Sequence, residues 1–168
     1  DITLSVIQGS VLGPILFVIY INDIDICLGQ FEGRFFKFAD DSKVAKVIKD
    51  STAAAEMQTI IGNLEKWCDM WEMKFNTDKC SIMHFGRHNL ETNYKMNGQT
   101  LSSLQNQKDL GITITNNCLP SEQCAKAAKK AYQVMGQINR SFSCYTKDVM
   151  LQIFKVFVRP HLEYAITA

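Results

Sequence analysis

Apolar positions recur with a helical period over residues 51–73, where Met57, Ile60, Ile61, Leu64, Trp67, Cys68 and Trp71 fall at i, i+3, i+4, i+7, i+10, i+11 and i+14. Such spacing puts one helix face against a core. Residues 11–22 are apolar nearly all round, which predicts a helix buried inside the domain, with Ser10 as its N-cap and Pro14 tolerated in its first turn. Residues 1–7 alternate weakly through Ile2, Leu4 and Val6, as a strand does, and turn through Gln8-Gly9-Ser10. Residues 35–48 predict two short strands rich in Phe and Val, with Ala39-Asp40-Asp41-Ser42 at the tip of their hairpin. Further strands are expected at 79–85, at 94–101 as a hairpin through Asn97-Gly98, and around Leu110, Ile112 and Ile114. A second helix starts at Pro120 or Ser121 and buries Cys124, Ala127, Ala128, Ala131, Val134, Met135 and Ile138. A third runs from 147 to 158 and stops at Arg159-Pro160. The pattern is an α+β region followed by an all-helical end, dividing near 116–119.

Composition supports a packed core. Of 168 residues, 46% are hydrophobic and only 3 are proline, which argues against disorder. The net charge of +1 excludes no partner class, but it is unevenly spread: residues 121–168 carry +4 and residues 1–120 carry −3. Six cysteines contain no C-x-x-C pair, and Cys27, Cys68 and Cys124 are expected on apolar faces. Reduced thiols in an intracellular protein fit this usage, with nucleus and cytoplasm not distinguished. The first apolar run, 11–21, is shorter than the roughly 20 residues a bilayer crossing needs, so no membrane partner is expected. The chain opens without Met directly against a dense motif, and reads as a fragment with its upstream part elsewhere.

Asp40-Asp41 is the feature richest in chemistry. Two adjacent carboxylates at a hairpin tip repel each other unless a cation satisfies them, which points to a divalent ion; the alternative is a solvated turn. Gln8-Gly9-Ser10 joins bare backbone to a helix N-terminus, suiting a phosphate or base edge, or serving as a plain helix start. Lys126, Lys129, Lys130, Gln133, Gln137 and Arg140 form a polar stripe on the second helix, and no acidic residue occurs from 123 to 147. The stripe either tracks phosphates or is an ordinary solvated face. Cys80, His84 and His88 have a C-x3-H-x3-H spacing that aligns zinc ligands only on a helix, whereas this segment reads as a strand. Trp67 and Trp71 lie on the apolar stripe and read as core. Neither a P-loop nor G-x-S-x-G is present.

Five blocks in order, QGSVLGPILFVIYIND at 8–23, FADD at 38–41, KFNTDKCSIMHFG at 74–86, KDLGI at 108–112 and VRPHLEYA at 158–165, resemble reverse transcriptases of non-LTR retrotransposons, closest to the CR1 and jockey-like LINE group. The resemblance spans about residues 5–168. It implies an α+β partial polymerase palm, an antiparallel sheet with packed helices, at 1–117, followed by a helical thumb at 118–168. It implies that Gln8, Gly9 and Ser10 sit beside the template and incoming nucleotide. Asp40 would ligate Mg²⁺ or Mn²⁺, with Asp41 beside the primer end and Phe38 packed beneath. Lys79 would lie in the fourth palm motif, near the leaving pyrophosphate, and Lys126, Lys129, Lys130 and Arg140 would support an RNA template paired with a DNA primer.

Two-metal nucleotidyl transfer needs carboxylates from two separate strands, and the family takes the other from a motif upstream of the QGS block. Asp23 and Asp25 follow the first helix, so Asp23 is expected roughly 20 Å from its Gln8 end and is a poor substitute. The expectation is therefore a truncated RNA-directed DNA polymerase that needs the missing upstream segment and is inactive alone. Two other readings are a non-catalytic nucleic-acid-binding remnant and a decayed element with no activity.

Overall fold

In the computed structural model, residues 9–143 and 146–166 are described; the strand expected at 1–7 lies outside them, as does Gln8. Helix α1 spans Leu12–Tyr20, strands β1 and β2 span Arg34–Phe38 and Asp41–Ala45, and helix α2 spans Ser51–Met70. Short strands β3 (Ser81–Ile82), β4 (Lys95–Met96), β5 (Gln99–Thr100) and β6 (Ser102–Ser103) follow. Strands β7 (Asn106–Asp109) and β8 (Ile112–Thr115) lead to helices α3 (Ser121–Ser141), α4 (Lys147–Ile153) and α5 (Arg159–Glu163). The fold is α+β, as expected. Among the described residues its strands form four two-stranded sheets: β1–β2, β4–β5 and β7–β8 are antiparallel, and β3–β6 is parallel.

The chain divides into two compact units, Asp1–Ile82 with Arg87–Ser103, and Met83–Gly86 with Leu104–Ala168. This division precedes β7, upstream of the 117/118 boundary expected between palm and thumb. The β7–β8 hairpin belongs with α3 because the Thr113 amide donates to Gln123 Oε1 at 2.9 Å and Lys126 Nζ donates to the buried Thr113 hydroxyl at 3.0 Å.

The spine of the first unit is α2. Asp50 caps it by accepting the Ala53 amide at 2.8 Å, and its buried face splits between two clusters. Ile60, Leu64, Trp67 and Cys68 pack on Ile21, Ile24 and Leu28, while Ile61 packs on Tyr94, Met96 and Leu101. Gln58 holds β4 like a neighbouring strand, donating to the Lys95 carbonyl at 2.8 Å and accepting its amide at 2.9 Å. The β4–β5 turn is the expected Asn97-Gly98, both with positive φ (50° and 75°), as a tight two-residue hairpin requires.

In the second unit, Ala131, Ile138 and Val158 form a small core with Val134, Met135 and Ile153 around it. The β7–β8 turn takes positive φ at Leu110 and Gly111 (45° and 86°), and a Cβ at Gly111 would meet the Tyr164 hydroxyl oxygen at 3.0 Å. That hydroxyl donates to the Leu110 carbonyl at 2.8 Å, tying α5 to the hairpin.

Several expectations are corrected. No residue of α1 is buried, and Leu12, Ile15, Leu16, Val18 and Ile19 are exposed, because only the Phe17 side meets the first cluster. An all-round apolar pattern reports what a helix needs, not what this chain supplies. Trp71 closes α2 as its C-cap, out of the core, where it meets Tyr20 edge to face; Cys124 is exposed in the first turn of α3. The third helix does not stop at Arg159-Pro160. A π-helical turn, Phe154–Val158, leads into α5, whose first turn holds Pro160 where its missing amide costs nothing. The strand expected at 79–85 shrinks to β3, preceded by a 3₁₀ turn at Thr77–Lys79.

Candidate metal centre and nucleic-acid face

The β1–β2 hairpin places the two carboxylates where a solvated ion can reach them. Phe38 pairs with Asp41, leaving Ala39 and Asp40 as the two-residue tip, and Ala39 holds φ 51°, a left-handed value that a Cβ resists. Both aspartates are exposed, and neither forms an ion pair among the described residues. Two neighbouring carboxylates and open solvent suit Mg²⁺ or Mn²⁺, hard cations that take one or two carboxylates and complete their shell with water and substrate phosphate. Among the described residues, no third Asp, Glu, His or Cys joins them. The pair is a compatible but partial site.

Hairpin alternation decides what lies behind the tip. Phe35 and Val44 form one rung on the inward face and pack against the first cluster, and Lys37 and Ser42 form the next rung towards the tip. Lys37 Nζ donates to the Asn22 carbonyl at 2.9 Å and pairs with Asp25 Oδ1 at 3.0 Å, just past the end of α1. The Lys37 hydrogen bond holds the Asp25 carboxyl below its ordinary range. Asp23 accepts the Trp67 indole N–H at 3.0 Å. Both aspartates considered as substitute ligands therefore have structural partners. Phe38, expected beneath the tip, is instead 61% exposed, with Phe36 on the outward face, which no described element covers.

At the start of α1, Gly9 has φ 87° and Val11, not the expected Ser10, holds the N-cap position; Ser10, one residue earlier, still accepts the Gly13 amide on its Oγ at 3.0 Å. Lys79 ends the 3₁₀ turn at 77–79 with an exposed side chain. Cys80, His84 and His88 do not gather; Cys80 is half-buried beside the second cluster, and burial pushes its thiol up. On α3, Lys129, Lys130 and Arg140 are exposed without an ion pair among the described residues. Lys126 is engaged, by Glu122 at 3.0 Å and by Thr113. Tyr132, 80% exposed on the same helix, is an aromatic that the polar stripe does not reveal, because it flanks the lysines rather than joining them. Lys37 was also missed, although a lone lysine in an Arg-Phe-Phe-Lys-Phe strand, in phase with the inward Phe35, marks it.

Residues 2–139 match the family described as "Reverse transcriptase (RNA-dependent DNA polymerase)". The chain belongs to the reverse transcriptase family. It is 24% identical over 180 aligned positions to an RNA-directed DNA polymerase from mobile element jockey of Drosophila melanogaster, covering 98% of this chain and 19% of that protein. It is 26% identical to the Drosophila funebris jockey polymerase, covering 95% and 18%, and 26% identical to a probable RNA-directed DNA polymerase from transposon BS of Drosophila melanogaster, covering 78% and 16%. These matches agree with the jockey-like LINE resemblance of the five blocks, and the chain is a LINE-type reverse transcriptase segment spanning under a fifth of those relatives' length. No solved structure matches it.

Proposed function

We propose that this chain is a partial palm (1–117) and the thumb (118–168) of an RNA-directed DNA polymerase of a non-LTR element, acting inside the cell on an RNA template and DNA primer. The carrying observation is the β1–β2 tip, where Asp40 and Asp41 stand exposed and without a neutralising side chain among the described residues. Asp40 and Asp41 hold Mg²⁺ or Mn²⁺, which when bound supplies activation of a primer 3′-hydroxyl and neutralisation of the leaving pyrophosphate. Gln8, Gly9 and Ser10 serve the template and incoming nucleotide. Phe38 lies beside the metal ligands, and Lys79 approaches the leaving group. Lys129, Lys130 and Arg140, with Lys126 once it exchanges Glu122 for phosphate, grip the duplex backbone. The 168-residue chain by itself does not polymerise, because two carboxylates on one hairpin make half of a two-metal site, and an upstream segment supplies the rest.

The test is Mn²⁺ calorimetry on the chain and on Asp40→Ala, with and without a primer–template duplex, followed by primer extension. The expected result is Asp40-dependent binding enhanced by duplex, with no extension. Extension abolished by Asp40→Ala would overturn inactivity. Duplex binding without any metal binding would favour the second reading, a nucleic-acid-binding remnant, which the unpaired cations of α3 support.

A further inference from the structure

We infer that Lys37 is a positioning residue that sets the tilt of the Asp40–Asp41 hairpin by clamping it to the turn after α1. This rests on the proposed role of the tip as a metal site. Among the described residues, two rungs of the hairpin meet the rest of its unit. The apolar rung, Phe35 with Val44, lies at the root, and the polar rung, Lys37 with Ser42, lies about 7 Å nearer the tip at strand spacing. The polar rung is a second attachment nearer the tip, and a second attachment constrains the direction of the hairpin more than the root alone does.

The polar rung has a firm anchor. Its acceptors, the Asn22 carbonyl at 2.9 Å and Asp25 Oδ1 at 3.0 Å, flank Ile24, which is 1% exposed, and Asp23, whose carboxylate is tied to Trp67 of α2 at 3.0 Å. The turn at 22–25 thus joins α1, α2 and β1 through three side chains. The Asn22 carbonyl also lies at the C-terminal end of α1, where unpaired carbonyls favour a cation. Beyond the clamp the chain runs three more residues to Asp40, so a small rotation at Lys37 becomes a larger displacement of the carboxylates. Metal ligands tolerate only about 0.5 Å of that.

The sign of one measurement separates positioning from simple electrostatics. Lys37→Met removes a positive charge one rung from the Phe38–Asp41 pair, which by charge alone tightens binding of a cation at the tip. Positioning predicts the opposite. Mn²⁺ titrated calorimetrically into the chain at moderate salt is expected to bind about tenfold more weakly to Lys37→Met, the low end for losing a support around a metal ligand. Lys37→Arg, which keeps a donor to both acceptors, is expected to regain most of the loss. Binding to Lys37→Met as tight as wild type, or tighter, overturns the inference.

Hydrogen exchange over residues 38–42 supplies a readout that needs no metal. Faster exchange in Lys37→Met and, to a smaller extent, in Asp25→Asn supports the clamp; unchanged exchange in both overturns it. If wild-type Mn²⁺ binding is indifferent to Asp40→Ala, the metal reading has failed, and the exchange result decides the clamp on its own. Should Lys37→Met not fold, Asp25→Asn carries the same exchange test, because it keeps Lys37 and its bond to Asn22.

Discussion

Asp23 accepts the indole N–H of Trp67 at 3.0 Å, joining the turn after α1 to the most buried part of α2. Trp67 is 5% exposed, so its N–H has no ready access to water, and losing the acceptor costs about 1–3 kcal/mol. Asp23→Leu should therefore lower the urea midpoint markedly, while Asp23→Asn, which keeps an oxygen in place, should stay near wild type. Asp23→Asn is not expected to alter Mn²⁺ binding at the hairpin tip, and a loss of binding in it would show that this carboxylate reaches the metal after all.

The Asp25–Lys37 pair makes stability depend on pH in one direction. Its hydrogen bond from Lys37 lowers the folded-state value of Asp25 below the ordinary 3.8, so the unfolded chain takes up this proton first as pH falls. The contribution is fully present above the unfolded value and fades as pH drops through the depressed folded one, a window below about pH 4. With the carboxylate side chain 52% exposed the effect is small and screened by salt. Urea unfolding between about pH 5 and pH 2.5 should show a shallower decline for Asp25→Asn than for wild type; parallel curves would mean that the pair adds nothing.

The fold was legible where one element satisfied its own pattern. The period at 57–71 marks α2, Asn97-Gly98 marks a hairpin, and the Phe and Val run around FADD marks β1–β2, because each signal is local and its partner lies close in sequence. What escaped depended on distant or absent partners. Hydrophobicity alone could not say that the described residues would leave α1 exposed, nor that Trp71 would cap α2 rather than enter the core. The site divides the same way: Asp40 and Asp41 stand out as a dipeptide, whereas Lys37 gains meaning only when Asn22 and Asp25 are brought beneath it.

The exposed apolar face of α1, which no described element covers, predicts self-association. Ile15 and Ile19 are 54% and 67% exposed, one helical turn apart, on a helix with no buried residue. Sedimentation should show concentration-dependent association in wild type that Ile15→Lys with Ile19→Lys reduces. Thermal stability of the monomer should barely change, since neither side chain contributes to the core; a large drop would mean that the face is covered within the chain.

Thiol reactivity should follow burial. Cys118 and Cys124 are exposed, whereas burial pushes the buried Cys68 thiol up to about 11 and raises Cys27 as well. Alkylation near pH 8 followed by peptide mass spectrometry should label Cys118 and Cys124 first, and reach Cys68 only as urea unfolds the first unit. Early labelling of Cys68 would indicate that α2 opens locally without global unfolding.

The three lysines of α3 should not contribute equally to duplex binding. Lys129 and Lys130 are exposed and unpaired among the described residues, so each can neutralise a phosphate directly. Lys126 must first give up Glu122 at 3.0 Å and Thr113 at 3.0 Å, and that exchange offsets much of what a phosphate contact contributes. Lys129→Ala and Lys130→Ala should each lower duplex affinity and reduce the slope of log K against log salt by about 1. Lys126→Ala should change both less. Glu122→Gln should move the other way, freeing Lys126 and strengthening binding. Equal losses at all three lysines would show that the Glu122 pair opens without cost, and no loss at any would leave the stripe an ordinary solvated face.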